Sequence, residues 1–276
     1  MQKKTKNNKK LDPLIFKNKW VLVTGASSGL GREFARKLAV DYGANLVLVA
    51  RRLNLLENLK SELMQVSDVQ IKTFASDLSD LNTLSAFLEK VTASIGIHAV
   101  ILNAGVTYFG EHSALSSELI TKMIDLNVKS AVISVEFFAS YFKSKVSGGG
   151  ILLVSSLAGS FPVPFQSVYS GSKAFLTAYG LALAEELSGA PFSISVFAPG
   201  GIQTEMTATE NFANLSKWLM PVQIAAKEGL TAFQKRKPFY ISGSLNRVLF
   251  FFSRFVPRSV IISKLGNTYR RALKRD

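Results

Sequence analysis

A tyrosine and a lysine four residues apart, Tyr169 and Lys173, form the first group with recognisable chemistry. On a helix this spacing places both side chains on the same face. A tyrosine with its ordinary pKa of about 10 is a poor acid or base at neutral pH, whereas a neighbouring ammonium favours the phenolate and lowers that pKa. We therefore predict an acid–base pair in which Lys173 brings the pKa of Tyr169 towards neutrality.

A serine thirteen residues before Tyr169 could assist this pair. Ser156 follows the short apolar segment 151–155, which has the composition of a buried strand. A hydroxyl at the carboxyl end of a strand, beside a ligand crevice, can donate a hydrogen bond to a substrate oxygen. Each of these residues alone also fits an ordinary helix or strand end, so the prediction of a catalytic site depends on what surrounds them.

A glycine-rich loop, residues 24–31, lies between the first predicted strand and the first predicted helix. Glycines in this position allow a tight turn, close approach of a pyrophosphate to the backbone and close packing of the helix. The start of the helix adds unpaired N–H groups and a partial positive charge. The sequence therefore predicts dinucleotide binding, although a glycine cluster alone also fits an ordinary strand–helix turn. The predicted cofactor-binding residues of the loop are Gly25, Ser27, Ser28, Gly29, Leu30 and Gly31.

Two arginines, Arg51 and Arg52, follow the second predicted strand, and no acidic residue is near them in the sequence. An acidic residue at this point binds the free 2′-hydroxyl of the adenine ribose, whereas a basic one accommodates a 2′-phosphate. The planar guanidinium of Arg51 suits the oxygens of a phosphate. We therefore predict NADP(H) as the preferred cofactor and NAD(H) as the alternative. A solvated pair of arginines at a strand end is the other interpretation.

Short segments rich in Val, Ile and Leu alternate with helix-length segments from residue 20 to about residue 200. Continuous apolar strands are typical of a sheet covered on both faces, and strand–helix–strand repetition indicates parallel strands joined by right-handed crossovers. The predicted strands are Trp20–Thr24, Asn45–Ala50, Val69–Phe74, His98–Leu102, Ile151–Ser155, Phe192–Ala198 and Phe239–Ser242. The predicted helices are Leu30–Asp41, Leu53–Val66, Leu81–Ser94, Ser117–Ser144 and Val168–Leu187.

The predicted fold class is therefore α/β, a doubly wound, mostly parallel sheet with helices on both faces. Ligands bind such sheets in the crevice at the carboxyl ends of the strands, where the loop 24–31 and Ser156 would meet. We predict one dinucleotide-binding and catalytic domain over residues 18–244. A basic N-terminal arm at 1–17 and a basic amphipathic extension at 245–276 flank it.

The composition excludes several classes of protein. Apolar residues make up 47% of the 276 residues and charged residues only 19%, which supports a large core and excludes an intrinsically disordered chain. The absence of cysteine excludes disulfide scaffolds, zinc–thiolate sites and cysteine nucleophiles. Two histidines, His98 and His112, are too few for a histidine-built site, so no metal is predicted.

The net charge of +14 is concentrated at the two ends, with +6 over residues 1–19, +10 over 235–276 and −2 between them. Because the globular body is nearly neutral, no specific nucleic-acid binding is expected. A basic amphipathic segment can contact anionic lipid, so one interpretation is peripheral contact with the cytoplasmic face of a membrane. The other is that its apolar face covers the fold or a subunit interface. Neither a signal peptide nor a membrane-spanning helix is expected, and the predicted location is cytoplasmic.

Taken together, these motifs resemble the short-chain dehydrogenase/reductase family over roughly residues 18–242. The matching residues, in the order and spacing of the family, are the loop 24–31, Asp77, Asn103-Ala104-Gly105, Asn127, Ser156, Tyr169, Lys173 and Pro199-Gly200 through Thr204. The resemblance implies a Rossmann-type sheet, a nicotinamide cofactor and hydride transfer between the ring and a carbonyl or carbinol carbon. It also implies a homodimer or homotetramer formed through the helices that carry Asn127 and Tyr169.

The resemblance assigns a role to each matching residue. Tyr169 would be the general acid in reduction and the general base in oxidation, and Lys173 would lower its pKa and hold the nicotinamide ribose. Ser156 would orient the carbonyl oxygen, because the spacing to Tyr169 favours it over Ser155. Asn127 would hold a water that connects Lys173 to solvent. The implied cofactor contacts beyond the loop are Asp77, Leu78, Asn103, Ala104, Gly105, Pro199, Gly200, Ile202 and Thr204, with Tyr169 and Lys173 themselves.

One position departs from the family pattern. Many relatives that use NADP carry a lysine or arginine inside the glycine loop, where this chain has Ser27 and Ser28. That leaves Arg51, helped by Arg52, as the candidate group for a 2′-phosphate.

Aromatic residues occur at two places that would shape a substrate pocket. Phe161 and Phe165 follow the predicted catalytic serine, and Tyr108 and Phe109 follow the cofactor-contact segment 103–105, without a charged group to bind a sugar phosphate or a free acid. A hydrophobic, lipid-like ketone or aldehyde is therefore the predicted substrate, although the aromatics also fit core or lid packing. The segment Glu205–Trp218 is the predicted mobile lid. The predicted substrate-pocket residues are Ser156, Phe161, Phe165 and Tyr169.

The sequence thus predicts an NADP(H)-dependent oxidoreductase that transfers hydride between nicotinamide and a hydrophobic carbonyl or alcohol. The alternative, from a different class, is a non-catalytic dinucleotide-binding redox sensor or membrane-peripheral scaffold. Because Asn127, Ser156, Tyr169 and Lys173 are all present, the catalytic interpretation is favoured.

Overall fold

The computed structural model describes residues 11–145, 148–208 and 219–273. Within them, seven strands form one sheet in the order β3-β2-β1-β4-β5-β6-β7, and every neighbouring pair is parallel. The chain order reverses between β1 and β4, which creates the crevice typical of doubly wound sheets. The predicted α/β fold class is confirmed. The strands are β1 (Trp20–Thr24), β2 (Asn45–Ala50), β3 (Ile71–Ala75), β4 (Ile97–Leu102), β5 (Gly149–Val154), β6 (Phe192–Ala198) and β7 (Phe239–Ile241).

Helices cover both faces of this sheet. Residues of α1, α2 and α7 share one apolar cluster with the sheet, and residues of α3, α5 and α6 share the other. The helices are α1 (Gly29–Val40), α2 (Leu53–Val66), α3 (Leu81–Ser94), α4 (Ser117–Ile124), α5 (Ser130–Lys143), α6 (Ser167–Glu186), α7 (Val222–Gln234), α8 (Ser244–Phe252) and α9 (Arg258–Leu273).

The central strands are mostly apolar because successive side chains point to opposite faces and both faces are buried. In β1, Val21 and Val23 pack in the cluster that contains Phe34 of α1, whereas Leu22 packs in the cluster that contains Phe138 of α5. All five side chains are fully buried. Burial of each contributes roughly 1.5–3 kcal/mol, so the central strands form a rigid base for the loops at their carboxyl ends.

The packed part of the chain begins inside the predicted N-terminal arm. Leu14 and Phe16 are only 1% exposed, and the ring of Phe16 lies 5.5 Å from that of Tyr42 and 5.8 Å from that of Phe233. These two apolar residues therefore extend the core, because the cluster next to α1 and α7 can bury them. Residues 1–10 of the predicted arm lie outside the described residues.

The helix predicted over 117–144 is interrupted in the structure. Between α4 and α5, residues 125–129 form a single π-helical turn, a feature often found at functional sites. The apolar residues keep a helical spacing on both sides of this turn, so the sequence pattern predicts one continuous helix and does not reveal the interruption. Smaller differences occur in β3, which begins at Ile71, and in β5, which ends at Val154.

Candidate active site

A cleft of about 660 Å³ lies where β1, β2, β4, β5 and β6 end. The structure brings most of the predicted site residues together along this cleft, which is the position expected for a ligand site in such a sheet. Three predicted residues, Gly31, Asn127 and Phe165, do not line it. Those that do are Gly25, Ser27, Ser28, Gly29, Leu30, Arg51, Asp77, Leu78, Asn103, Ala104, Gly105, Ser156, Phe161, Tyr169, Lys173, Pro199, Gly200, Ile202 and Thr204.

The glycine loop forms one end of the cleft, and its glycines are required by close packing. Gly25 adopts a left-handed backbone conformation (φ +66°), and a Cβ there would lie 2.9 Å from the Cα of Ala104. A Cβ on Gly31 would collide with the carbonyl oxygen of Gly25. The absence of a side chain at Gly31 therefore allows α1 to pack closely against the loop, although Gly31 does not line the cleft itself.

The N-terminus of α1 faces this loop. Ser28 occupies the capping position, but its hydroxyl accepts no hydrogen bond from the first turn of the helix, and that turn has no acidic residue. The backbone N–H groups of the first turn, together with the helix dipole, thus suit the negative charge of a pyrophosphate.

Thr24, which the sequence analysis did not single out, joins the ends of β1 and β4. Its hydroxyl accepts hydrogen bonds from the N–H groups of Asn103, at 2.9 Å, and Ala104, at 3.0 Å. The side-chain amide of Asn103 donates in return to the carbonyl of Thr24 at 3.1 Å. This threonine therefore fixes the two strand ends between which a dinucleotide would pass. A hydroxyl residue directly before the first glycine of the loop was the available signal.

Both arginines after β2 line the cleft, but their surroundings differ. Arg52 lies 3.3 Å from the carboxylate of Glu205 and 3.4 Å from the hydroxyl of Ser27. Burial opposes ionisation of Asp77, but hydrogen bonds from Ser79 and the charge of Arg51 outweigh it and hold the pKa of Asp77 below its usual value. The two guanidinium groups thus lie beside the glycine loop and the predicted cofactor contact Asp77.

The candidate catalytic residues meet at the other end of the cleft. Tyr169 and Lys173 lie on α6, with the ammonium 5.9 Å from the centre of the tyrosine ring. The Nζ atom of Lys173 donates a hydrogen bond to the carbonyl of Val154 at 2.9 Å. Ser156 follows β5 and lines the cleft beside them.

Ser155 has a different role from its neighbour. Its hydroxyl donates to the backbone carbonyl of Lys173 at 2.8 Å and lies 2.7 Å from the hydroxyl of Thr177. These bonds fasten the end of β5 to α6, which leaves Ser156 as the serine whose hydroxyl is available beside Tyr169. The geometry thus favours the predicted assignment of Ser156.

Burial governs both titratable groups of the pair. Full burial lowers the pKa of Lys173 from its usual 10.5 to about 8. Burial also raises the pKa of Tyr169, although its hydrogen bond with Ser156 acts in the opposite direction. In the chain alone the pKa of Tyr169 is therefore raised rather than lowered, because loss of solvation outweighs the hydrogen bond with Ser156. The lowering of this pKa by Lys173 stays a prediction.

Asn127 lies in the π-helical turn, and its side chain is nearly fully buried. Its amide donates to the carbonyl of Val106 at 2.9 Å and to Ser172 at 3.1 Å, and its oxygen accepts from the N–H of Val106. A Cβ on Gly105 would lie 3.1 Å from that oxygen and 3.5 Å from the Nζ atom of Lys173. Gly105 therefore leaves space between Asn127 and Lys173, where the family resemblance implies a water.

The apolar end of the cleft includes residues from the C-terminal helices, which the sequence analysis did not assign to the pocket. Leu245 and Leu249 of α8 and Leu265 and Tyr269 of α9 line it together with Phe161. The C-terminal extension thus forms part of the pocket. Its amphipathic pattern alone did not reveal which surface it packs against.

Phe165 lies in an adjoining cavity of about 420 Å³ that shares Tyr169 with the cleft. Its ring faces the guanidinium of Arg270 at 5.8 Å and packs in a small cluster with Phe109 and Tyr269. The structure therefore places Phe165 behind the cleft rather than in its lining. Of the predicted lid, residues 205–208 are described, with 205–207 forming a short turn. Residues 209–218 lie outside the described residues.

Within residues 11–145, 148–208 and 219–273, no helix is both long and apolar enough to cross a bilayer. The same residues contain no group of three or more histidine, aspartate or glutamate side chains placed to bind a metal ion.

Comparison with known proteins places these features in a family. A model of short chain dehydrogenases matches residues 19–214. An uncharacterised oxidoreductase of Mycobacterium tuberculosis is 34% identical over 224 residues, which cover 79% of this chain and 85% of that protein. A very-long-chain 3-oxoacyl-CoA reductase of Danio rerio is 31% identical over 193 residues, 68% of this chain and 60% of the relative. The structure of a short-chain dehydrogenase from Sphingobium yanoikuyae in complex with NADPH matches with a TM-score of 0.78 and 27% identity, covering 89% of this chain and 95% of that one.

Proposed function

This chain belongs to the short-chain dehydrogenase/reductase family, and we propose that it is an NADP(H)-dependent oxidoreductase of hydrophobic, lipid-like carbonyls and alcohols. The observation that carries the proposal is the convergence of Ser156, Tyr169 and Lys173 on one cleft with the glycine loop. A binding-only protein has no need for a tyrosine and a buried lysine beside a serine hydroxyl that lines the same cleft.

The three side chains divide the work of carbonyl reduction. Ser156 donates a hydrogen bond that holds the carbonyl oxygen, and Tyr169 gives that oxygen its proton. Because burial raises the pKa of Tyr169, the tyrosine is protonated at neutral pH and ready to act as the acid. Lys173, still charged below about pH 8, then stabilises the tyrosinate that proton transfer leaves behind. When bound, NADP(H) supplies or accepts the hydride at its nicotinamide ring.

The cleft has the features that an NADP(H) molecule requires. The loop glycines and the open first turn of α1 suit a pyrophosphate, and Arg51 and Arg52, which line the cleft directly after β2, suit a 2′-phosphate. No acidic residue follows β2 to favour an unmodified ribose. The NADPH bound to the Sphingobium relative supports the same preference. We therefore infer that NADP(H) is preferred over NAD(H).

The substrate class follows from the other end of the cleft. Phe161, Leu245 and Leu249 give this end an apolar lining, and Tyr169 and Ser156 are its reactive polar groups. A carbonyl on an aliphatic or polycyclic hydrophobic body matches that arrangement. The resemblance to a very-long-chain 3-oxoacyl-CoA reductase supports a lipid-derived substrate for this chain as well.

We further propose that the enzyme works in the cytoplasm as a homodimer or homotetramer, with peripheral contact to the cytoplasmic face of a membrane. The outer side of α6 supports self-association, because Phe175 is exposed there and stacks on Tyr179. Large exposed aromatics of this kind are enriched at subunit interfaces. Sedimentation analysis of the full chain and of Phe175→Ser tests the oligomer.

The test of the activity is carbonyl-dependent oxidation of NADPH and of NADH by the purified chain. The substrate panel contains long-chain aldehydes, 3-oxoacyl esters and steroid ketones. We expect turnover with NADPH that Tyr169→Phe abolishes, while NADPH binding, followed by fluorescence, stays nearly unchanged. Turnover that survives Tyr169→Phe would remove the tyrosine from the mechanism. Tight NADPH binding without turnover on any class of carbonyl would favour a redox sensor.

A further inference from the structure

Helix α8 has its apolar side facing outward, the reverse of an ordinary surface helix. Its inward side is partly polar: Arg247 pairs with Glu228 at 3.1 Å and donates to the hydroxyl of Tyr240, and Asn246 donates to the carbonyl of Ser242. Its outward residues follow helical spacing and are Leu245, Val248, Leu249 and Phe252, all exposed. A helix on a water-facing surface would normally bury this stripe.

The outward stripe continues into a larger apolar surface after the helix. Of the large apolar residues exposed in the described part of the chain, half fall within 245–260. The rings of Phe251 and Phe255 lie 6.0 Å apart, and Phe255 is 74% exposed. A contiguous apolar patch of this kind on a soluble protein indicates an interaction site. The 245–260 patch consists of Leu245, Val248, Leu249, Phe251, Phe252, Phe255, Val256 and Val260.

Positive charge surrounds this patch. Arg254 lies over the rings of Phe250 and Phe251, at 5.5 and 6.0 Å, and Arg258 follows at the start of α9. Neither arginine forms a salt bridge with another residue in the described ranges. From 244 to 275 the sequence has eight lysines and arginines and no acidic residue. Charge complementarity therefore points to an anionic partner.

A second copy of the chain fits this surface poorly. A twofold contact would place the same patch on both sides and bring the unpaired Arg254 and Arg258 of each copy together without an acidic partner. An anionic bilayer instead receives aromatic side chains at its interface and attracts arginines to its headgroups. Of the two, the bilayer satisfies both the apolar and the basic part of the patch.

The patch is also continuous with the candidate active site. Leu245 and Leu249 belong to the patch and, at the same time, line the apolar end of the cleft. The ring of Phe250, on the same helix, lies 6.2 Å from that of Phe161 in the cleft lining. The open end of the pocket is therefore bordered by the same residues that form the apolar surface.

We propose that the 245–260 patch docks on an anionic lipid surface and that the hydrophobic substrate enters the cleft from that surface. Phe251, Phe252 and Phe255 insert among the acyl chains near the headgroups, and Arg254 and Arg258 contact lipid phosphates. The entry of substrate rests on the proposed function, whereas the docking itself does not.

Co-sedimentation of the full chain with vesicles tests the docking directly, without cofactor or substrate. The vesicles contain either phosphatidylcholine alone or phosphatidylcholine mixed with phosphatidylglycerol. We expect binding to the mixed vesicles and much weaker binding to the neutral ones. Phe252→Ser/Phe255→Ser weakens binding by roughly tenfold or more, since two aromatic rings are removed from the interface. Arg254→Glu/Arg258→Glu weakens it by at least about tenfold at low salt.

Matched controls exclude general effects of apolar or charged surface residues. Met64→Ser/Val66→Ser replaces two exposed apolar residues on α2, and Lys90→Glu/Lys143→Glu reverses two exposed charges on α3 and α5. Both control variants should bind mixed vesicles like the wild type. Failure of the wild type to bind them overturns the proposal. Equal binding by wild type and both patch variants also overturns it and assigns the binding to another segment.

Two further readouts separate the remaining outcomes. The first readout is the oligomeric state of the wild type and of Phe252→Ser/Phe255→Ser, measured by sedimentation. If the variant forms smaller species than the wild type, the patch is an interface between copies of the chain, and lipid docking is overturned. The carbonyl reductase assay, carried out on a water-soluble ketone, reports the proposed function independently. Vesicle binding without turnover would support the docking and refute the activity. Turnover without vesicle binding would support the activity and refute the docking.

Discussion

The guanidinium of Arg52 and the carboxylate of Glu205 lie 3.3 Å apart and connect the start of α2 to the loop after β6. The same arginine reaches the hydroxyl of Ser27 in the glycine loop at 3.4 Å. Both charged side chains are at least half exposed, so the ion pair contributes little to stability. The ion pair instead affects cofactor binding, because Glu205 competes with the 2′-phosphate of NADP(H) for Arg52.

Glu205→Gln is therefore expected to tighten NADPH binding by about two- to fivefold, which corresponds to the strength of an exposed ion pair. The substitution releases Arg52 and removes a negative charge from the edge of the cleft. The dissociation constants of NADPH and NADH, measured by fluorescence titration, check it. NADH serves as the control because it lacks the 2′-phosphate, and an equal gain for both cofactors would contradict the role given to Arg52.

The two arginines themselves are expected to differ in their effect. Arg51→Ala should raise the KM for NADPH by about ten- to hundredfold, the value of hydrogen bonds to a charged phosphate. Arg52→Ala should cost less, since Arg52 already has Glu205 and Ser27 as partners. Steady-state kinetics with both cofactors tests this, and the KM for NADH should stay within about twofold in each variant. A larger loss in Arg52→Ala than in Arg51→Ala would reassign the phosphate contact.

Thr24 provides a test of how the two strand ends are held together. Thr24→Val keeps the side-chain shape but leaves the N–H groups of Asn103 and Ala104 without their acceptor. We expect the free energy of unfolding, measured in urea, to fall by about 2 kcal/mol or more. Thr24→Ser retains the hydroxyl and is the matched control. A valine variant as stable as the serine variant would show that neither N–H depends on Thr24.

Much of the architecture could be predicted from local signals. The alternation of apolar and helical segments is enough to indicate a parallel sheet, because only buried strands tolerate apolar residues at every position, as Leu46 to Val49 show. The glycine loop and the spacing of Ser156, Tyr169 and Lys173 then locate the cleft, since the carboxyl ends of parallel strands meet at one edge.

What could not be predicted depends on contacts between distant segments. The π-helical turn around Asn127 accompanies hydrogen bonds to Val106 and Ser172, which local periodicity does not encode. The same holds for Tyr269, whose ring lies 5.1 Å from that of Phe109 and forms part of the pocket wall. The pKa of Tyr169 was expected to fall because the sequence shows the nearby lysine but not the burial that raises this pKa.

Lys173→Met is expected to abolish carbonyl reduction yet stabilise the fold at pH 7. Burial lowers the pKa of Lys173 from 10.5 to about 8, which corresponds to a cost of at most about 3 kcal/mol for keeping the lysine charged. Loss of its hydrogen bond to Val154 offsets roughly 1 kcal/mol of the gain. Thermal and urea unfolding of both proteins at pH 7 measures the difference.

The stabilisation should depend on pH with a definite sign. Because the pKa of Lys173 is lower in the folded chain than in the unfolded one, the unfolded chain binds more protons between about pH 8 and pH 10.5. The stability of the wild type therefore rises with pH relative to Lys173→Met in that range. The advantage of the variant is largest below about pH 8 and shrinks above it. An advantage that stays constant or grows with pH would contradict a buried, charged lysine.

The two directions of the reaction should respond oppositely to pH. The pKa of Tyr169 is raised by burial, so its hydroxyl keeps the proton that reduction needs throughout the neutral range. Reduction should hold its kcat/KM up to about pH 8 and fall above it, as Lys173 loses the charge that stabilises the tyrosinate. Oxidation of the corresponding alcohol needs Tyr169 without its proton, so its kcat/KM should rise steadily with pH.

Initial rates in both directions, with saturating cofactor at each pH, test this, and the control is the NADPH dissociation constant over the same range. Parallel pH profiles for the two directions would mean that a group other than Tyr169 transfers the proton.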